Sequence, residues 1–173
     1  MDTKGIIIEA FRKLLTNHKF DDITVQDILD EAHCSRGTFY RHFKDKYDIM
    51  NYHYSASRQL INSEPDLSGT EKIRLIIDSF AKNVHYFQGV VDTEGSNSFL
   101  VFVKNSSMQY FLDIYRKRPD STDPIPARIR FMADFLSSGY VSVIRDWILK
   151  DNPLSKNELV ECLYEMTPED FRD

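Results

Sequence analysis

The run Thr24-Val25-Gln26-Asp27-Ile28-Leu29-Asp30-Glu31-Ala32-His33-Cys34-Ser35-Arg36-Gly37-Thr38-Phe39-Tyr40-Arg41-His42-Phe43 decides the fold. Thr24 is a good N-cap, and Asp27 stands three residues on, in the acid position of a capping box. Val25, Ile28, Leu29 and Ala32 recur at i, i+3, i+4 and i+7, which predicts a helix with one buried face. His33-Cys34 interrupts it. Ser35 caps a further short helix, Arg36 to Phe43, in which only Phe39 and Phe43 look core-facing. Arg36, Gly37, Thr38, Tyr40, Arg41 and His42 remain for its other faces. Upstream, Ile7, Ala10, Phe11, Leu14 and Leu15 form one apolar stripe on a helix from Thr3 to Asn17. Three helices, the last two joined by a tight turn, have helix-turn-helix spacing.

Further along, the pattern stays helical. Asp45 can cap a helix from Lys46 to about Asn62. Ser63 to Gly69, with Pro65 and Gly69, is the best candidate for a boundary loop. Thr70 to about Phe87 reads as a helix, and Gly89 to Gly95 as a loop. Asn97 to about Arg118 reads as an irregular helix with a break near Lys104-Asn105. A long helix is expected from Pro126 to Lys150. Ser155 with Glu158 makes a capping box for a last helix ending near Thr167. The expected fold is all-α, with eight or nine helices and no strand. Residues 1–46 would form a helix-turn-helix unit, and residues 47–173 a helical domain for dimerisation and effector binding.

The chain has 173 residues, long enough for a core without disulfides or metal. Hydrophobic residues at 42% and charged residues at 28% exclude a wholly disordered chain. No run approaches the length of a membrane span. Ile6-Ile7-Ile8 ends at Glu9 with no cleavage site after it, so no secretory signal is expected. Cys34 and Cys162 do not make a disulfide framework, which points to a reducing cytoplasm. His33, Cys34 and His42 fit no standard zinc spacing, so no metal and no cofactor is expected. Phosphate-loop, nucleophile-elbow and His-Glu-x-x-His motifs are absent, leaving an enzyme without a positive feature.

Net charge is −5, yet residues 33–46 hold Arg36, Arg41, Lys44 and Lys46 against Asp45 alone. A small basic patch on an acidic body suits a unit that lays one helix in a DNA major groove. Arg36 and Arg41 offer forked donors to guanine edges or phosphates. Thr38 and Tyr40 offer hydroxyls, and Gly37 lets the backbone approach closely. Lys46 adds charge at the start of the next helix.

Thr24 to Ile28, followed by Ser35-Arg36-Gly37-Thr38-Phe39-Tyr40-Arg41-His42-Phe43-Lys44-Asp45-Lys46, resembles the DNA-binding signature of the TetR family of transcriptional regulators. That resemblance spans about Ile6 to Met50. It implies an all-α homodimer that binds double-stranded, palindromic operator DNA and answers to a small effector or a protein partner. By position it carries DNA contacts over to Thr24, Arg36, Gly37, Thr38, Tyr40, His42 and Lys46, with Arg41 as a further candidate. The family usually has glycine where this chain has His33, so a left-handed turn there would be mildly strained, or its geometry would differ. Gly139-Tyr140, Arg145-Asp146-Trp147-Ile148 and the Ser-capped last helix resemble the short C-terminal domain of regulators like those of dihydroxyacetone kinase operons.

The expected function is a cytoplasmic, dimeric repressor released by an effector. The rival is a helical protein-interaction adaptor that has lost operator binding. Candidate effector contacts are His53, His85, Tyr86, Phe102 and Tyr110. The long helix is apolar on more than one side, which points to a dimer interface through Phe135, Gly139, Val143 and Trp147, with Leu159 and Leu163 from the last helix.

Overall fold

The computed structural model of the chain describes residues 2–64 and 66–172, so Pro65 in the expected boundary loop lies outside the described residues. Among these residues there are helices and no strand. The helices are α1 (Thr3–Asn17), α2 (Val25–Ala32), α3 (Arg36–Tyr40), α4 (Lys46–Met50), α5 (Tyr52–Ser63), α6 (Gly69–Lys82), α7 (Val84–Val90), α8 (Phe99–Arg116), α9 (Ala127–Ile148) and α10 (Lys156–Glu165). Two 3-10 turns, Phe20–Asp22 and Glu169–Phe171, complete the set.

Local chemistry sets the ends. Thr24, Ser68 and Ser155 each close a capping box with the acid three residues on, satisfying two backbone donors per helix start. Three expectations are corrected. First, α3 stops at Tyr40 rather than Phe43, because the Phe39 carbonyl takes both His42 N–H at 2.9 Å and Phe43 N–H at 3.0 Å, tightening the last turn. Second, two expected long helices are each broken at an asparagine, Asn51 and Asn83. At Asn83 the side-chain amide donates to the Ser79 carbonyl at 2.9 Å and competes with the helix. One consequence is that α7 reaches Val90, into the expected loop. Third, α8 runs through Lys104-Asn105 unbroken.

Packing joins α1 to α2, α5 to α6, α8 to α9 and α10 to α6, while short α7 touches α1, α6 and α9. One apolar cluster runs from Ile7, Phe11 and Phe39 through Met50, Phe80 and Phe87 to Leu159 and Leu163. A second gathers Phe111, Tyr115, Ile125, Ile129 and Phe171 at the far end. In the first cluster Tyr86 is buried, and its hydroxyl donates to the Ile49 carbonyl at 2.7 Å. Phe11 meets the Tyr86 ring at 5.9 Å, and Phe80 meets Phe87 at 4.6 Å, both edge-on. Each fully buried phenylalanine contributes on the order of 1.5–3 kcal/mol.

Burial corrects part of the expected dimer surface. Leu159 is 0% and Leu163 5% exposed within a single chain. Both sit on the inner face of α10, which Lys156–Asp78 (2.6 Å) and Arg74–Asn157 (2.7 Å) hold against α6. Side chains already closed inside one subunit have no area left for a partner.

His53 stands edge-on to Tyr86 at 4.8 Å, and its buried Nε2 has no hydrogen-bond partner among the described residues. Burial, and then the Arg12 charge, push its pKa below the ordinary 6.5. A depressed folded-state pKa favours the neutral form, so this part of the stability is present above 6.5 and lost as pH falls from 6.5 toward the lower folded value. Urea unfolding followed between pH 7.5 and 5 is expected to show stability falling in that window. His53→Gln is expected to flatten this slope, leaving the losses of the depressed carboxylates Glu9, Glu71 and Glu158, which begin only near pH 4.5. An unchanged slope in the variant would contradict the assignment.

Candidate nucleic-acid interface

The turn between α2 and α3 fixes the interface. His33 adopts φ 49, ψ 43, the left-handed conformation. Around it, His33 N–H donates to the Asp30 carbonyl at 3.4 Å and Cys34 N–H to the Leu29 carbonyl at 3.1 Å. This is a Schellman end, which requires the left-handed residue that glycine usually supplies. Histidine holds the same geometry, with the strain expected of a side chain there. Ser35 then accepts from Thr38 N–H at 3.1 Å and starts α3 immediately. Phe39 is fully buried and anchors α3 to the core, so the remaining positions turn outward.

The expected contact residues divide into two groups. Arg36, Gly37, Tyr40, Arg41 and His42 are exposed. Arg36 Nη2 reaches Gln26 Oε1 at 3.3 Å, and Arg41 Nη2 donates to the Thr38 hydroxyl at 3.1 Å. A Cβ at Gly37 would meet only the Ser35 hydroxyl, at 4.0 Å, so nothing inside the chain requires glycine there. The hydroxyls of Thr24 and Thr38 are already committed, to Asp27 at 2.7 Å and to Ser35 at 2.9 Å.

Lys46 belongs to the second group, half-buried and bonded within the chain. Its ammonium donates to three carbonyls, Phe20 (2.9 Å), Asp21 (3.1 Å) and Ile23 (2.8 Å), and lies 4.4 Å from the Phe20 ring centroid. An ammonium has three donors. All three lie in the Phe20–Ile23 segment, so Lys46 ties that segment to the start of α4.

Helices α5, α6, α8, α9 and α10 line a small, half-open cavity of about 80 Å³. Its wall includes Tyr54, Arg58, Lys72, Val103, Tyr110 and Phe111. A wider groove beside it is lined by Phe102, Asn105, Gln109 and Tyr110. Of the expected effector contacts, Tyr110 lines both spaces and Phe102 the groove. Tyr86 is corrected: it is core, with its hydroxyl on Ile49. His53 faces Tyr86 and Phe87, and His85 is exposed; neither lines these spaces. Arg58 and Tyr54 escaped the sequence reading because nothing local distinguishes them from ordinary amphipathic-helix residues.

On α9, Phe131 and Phe135 are 69% and 68% exposed, and their rings stack with centroids 6.4 Å apart. Gly139 lies on the same exposed side, and a Cβ there would meet nothing within 4 Å. Val143 and Trp147 instead lean on the core, Trp147 donating to the Leu154 carbonyl at 3.0 Å. Met166, after α10, is 71% exposed.

The chain matches the family model described as bacterial regulatory proteins, tetR family, over residues 7–52. It matches a second, described as transcriptional regulator C-terminal region, over residues 70–169, more than half of the chain. It is 23% identical over 158 residues to the HTH-type dhaKLM operon transcriptional activator DhaS of Lactococcus lactis subsp. lactis, covering 89% of this chain and 83% of that protein. Among solved structures, it resembles a dihydroxyacetone kinase operon activator DhaS with a TM-score of 0.66 at 20% identity, over 95% of this chain and 93% of that one. It resembles a TetR transcriptional regulator from Streptococcus agalactiae 2603V with a TM-score of 0.65 at 22% identity, over 95% and 92%. Among the described residues, no helix is long and apolar enough to cross a membrane.

The tether reading of Lys46 separates cleanly from a phosphate reading. Lys46→Met keeps the apolar stem and removes the donors. It is expected to lower unfolding stability by about 1.5–3 kcal/mol, the range for hydrogen bonds to a charged group. The salt dependence of DNA binding is expected to stay as in the wild type. Unchanged stability with a flatter salt slope would restore the phosphate contact.

Proposed function

The chain belongs to the TetR family of DNA-binding transcriptional regulators, and from that premise we propose that it reads a palindromic operator as a homodimer and is released by a small effector. Residues 1–46 do the reading, and residues 47–173 dimerise and sense, in the cytoplasm. The observation that carries the reading is the α2–α3 turn. A Schellman end and a serine cap, back to back, set α3 on Phe39 with Arg36, Tyr40, Arg41 and His42 outward. That face suits the major groove: guanidinium forks for guanine or phosphate, a phenol for phosphate, and an imidazole as a further polar contact. Gly37, which no contact in the chain explains, fits close approach to the DNA backbone. Thr24 contributes through the exposed start of α2, and Thr38 through its methyl, since its hydroxyl is engaged.

The dimer surface is the outer side of α9 through Phe131, Phe135 and Gly139, extended by Met166. Two stacked, largely exposed phenylalanines make an apolar patch that water disfavours. Placed on a two-fold axis, the same patch meets itself. Val143 and Trp147 support it from the flank. Release is a population shift. An effector in the cavity favours a separation of the two reading heads that no longer matches successive major grooves, about 34–36 Å apart. Repression is the sign we propose for this chain. The relative DhaS is named an activator, and the sign depends on where the operator lies relative to the promoter, which leaves the binding step the same.

Arg36→Ala and Tyr40→Ala are each expected to weaken operator affinity about ten- to hundred-fold, equivalent to about 1–3 kcal/mol for a lost base contact, with the helical circular dichroism unchanged. Fluorescence anisotropy on labelled operator duplexes measures this. Wild-type affinity in both variants would remove α3 from the interface and leave the adaptor reading.

Phe135→Glu is expected to shift sedimentation toward monomer, with operator binding falling alongside. The charge would have to be desolvated against its own copy. A wild type that is monomeric at micromolar concentration, or a dimer indifferent to this substitution, would contradict the α9 surface.

A further inference from the structure

The cavity walls are apolar over Ile61, Ile73, Ile76, Ile77, Val103 and Phe111. Their polar lining has one sign. Its charged groups are Arg58, Lys72 and Arg172, with no carboxylate among the described residues; the hydroxyls of Tyr54 and Ser107, paired at 3.2 Å, and those of Tyr110, Tyr140, Tyr164 and Thr167 complete it. All three cations line the adjoining groove as well, so they stand where the two spaces meet. The groove adds Asp66 and Asp113, but Asp113 is paired with Arg116 at 2.7 Å. Gly69, the first residue of α6, is also at the cavity wall, so the positive end of that helix adds to the field.

Arg58 carries the argument furthest. Arg58 is half-buried, and its guanidinium lies 4.1 Å from the Tyr110 ring centroid. Its five N–H donors have no hydrogen-bond acceptor among the described residues. Arg172, by contrast, is held by the carbonyls of Tyr164, Glu165 and Thr167. A partly desolvated cation with open, planar donors beside an apolar cavity is matched by a carboxylate, which takes two parallel hydrogen bonds from one guanidinium.

We propose that this cavity binds a small organic acid, with a short apolar body inside and its carboxylate forked on Arg58, in the field of Arg172 and the α6 N-terminus. The inference rests on the effector reading above and names the ligand class. At about 80 Å³ the cavity has room for a short body.

The test compares three molecules of one carbon skeleton: pentanoate, 1-pentanol and pentylammonium. Each is titrated calorimetrically into the full chain at pH 7, as wild type and as Arg58→Met. Pentanoate is expected to bind at least ten-fold more tightly than pentanol, and pentylammonium not to bind. Arg58→Met is expected to bring pentanoate down to the level of pentanol and leave pentanol unchanged. The proposal is overturned if pentanoate does not bind, if pentanol or pentylammonium matches it, or if Arg58→Met keeps full pentanoate affinity. The wild-type series decides the matter alone should that variant not fold. DNA retention measured in the same solutions separates this claim from the effector reading. Pentanoate bound with no change in DNA retention overturns the effector reading and supports the acid site. DNA released by pentanol as readily as by pentanoate supports the effector reading and overturns the acid site.

Discussion

The buried hydroxyl of Tyr86 needs an acceptor, and it finds one in the Ile49 carbonyl at 2.7 Å. This bond joins α7, in the middle of the body, to the end of α4, the first helix after the reading unit. Around it Phe11, His53 and Phe87 press edge-on against the Tyr86 ring. Removing the acceptor or tilting either helix would strand a polar group in an apolar cluster, at roughly 1–3 kcal/mol. The reading unit and the body therefore share one core, and a rigid shift of α7 cannot leave α1 and α4 where they were. In the proposed regulator this is the route by which an occupied cavity reaches the heads. The cavity lies on α5 and α6, and both pack into the same cluster through Tyr54, Ile77 and Phe80.

Charge is arranged to the same end. The chain carries a net charge of −5, so the few outward cations near α3 stand out against an acidic whole. The cations that face outward from α3 and the turn after it are Arg36, Arg41 and Lys44. Lys46, which looks like part of that patch in the sequence, is turned inward to hold the Phe20–Asp22 turn. The basic residues of the cavity serve a different purpose, since Arg58 lies half-buried on a tyrosine ring rather than on the reading face.

The helix starts were legible because caps are local: Thr24 with Asp27, Ser35 and Ser155 with Glu158 each act within one turn. The left-handed turn was legible in outline for the same reason, and His33 occupies it. Less legible was anything decided across the fold. Asn51 and Asn83 break helices that periodicity alone would continue. The apolar stripe of α10 reads equally well as an interface or as a core face, and only the proximity of α6 shows that Leu159 and Leu163 close one subunit. Tyr86 reads as a pocket aromatic until its hydroxyl is seen to bond Ile49. The cavity was hidden because Arg58, Lys72 and Arg172 are far apart in sequence and meet only when α5, α6 and the C-terminal segment pack.

In the proposed regulator, two copies of α3, fixed by a shared core and an α9 interface, read two half-sites together. Selection of bound duplexes from a random pool by the purified full chain tests it most directly. The expected result is enrichment of an inverted repeat whose half-site centres lie about one helical turn, or a multiple of it, apart. Enrichment of single, unpaired half-sites, or no enrichment over the starting pool, would contradict it.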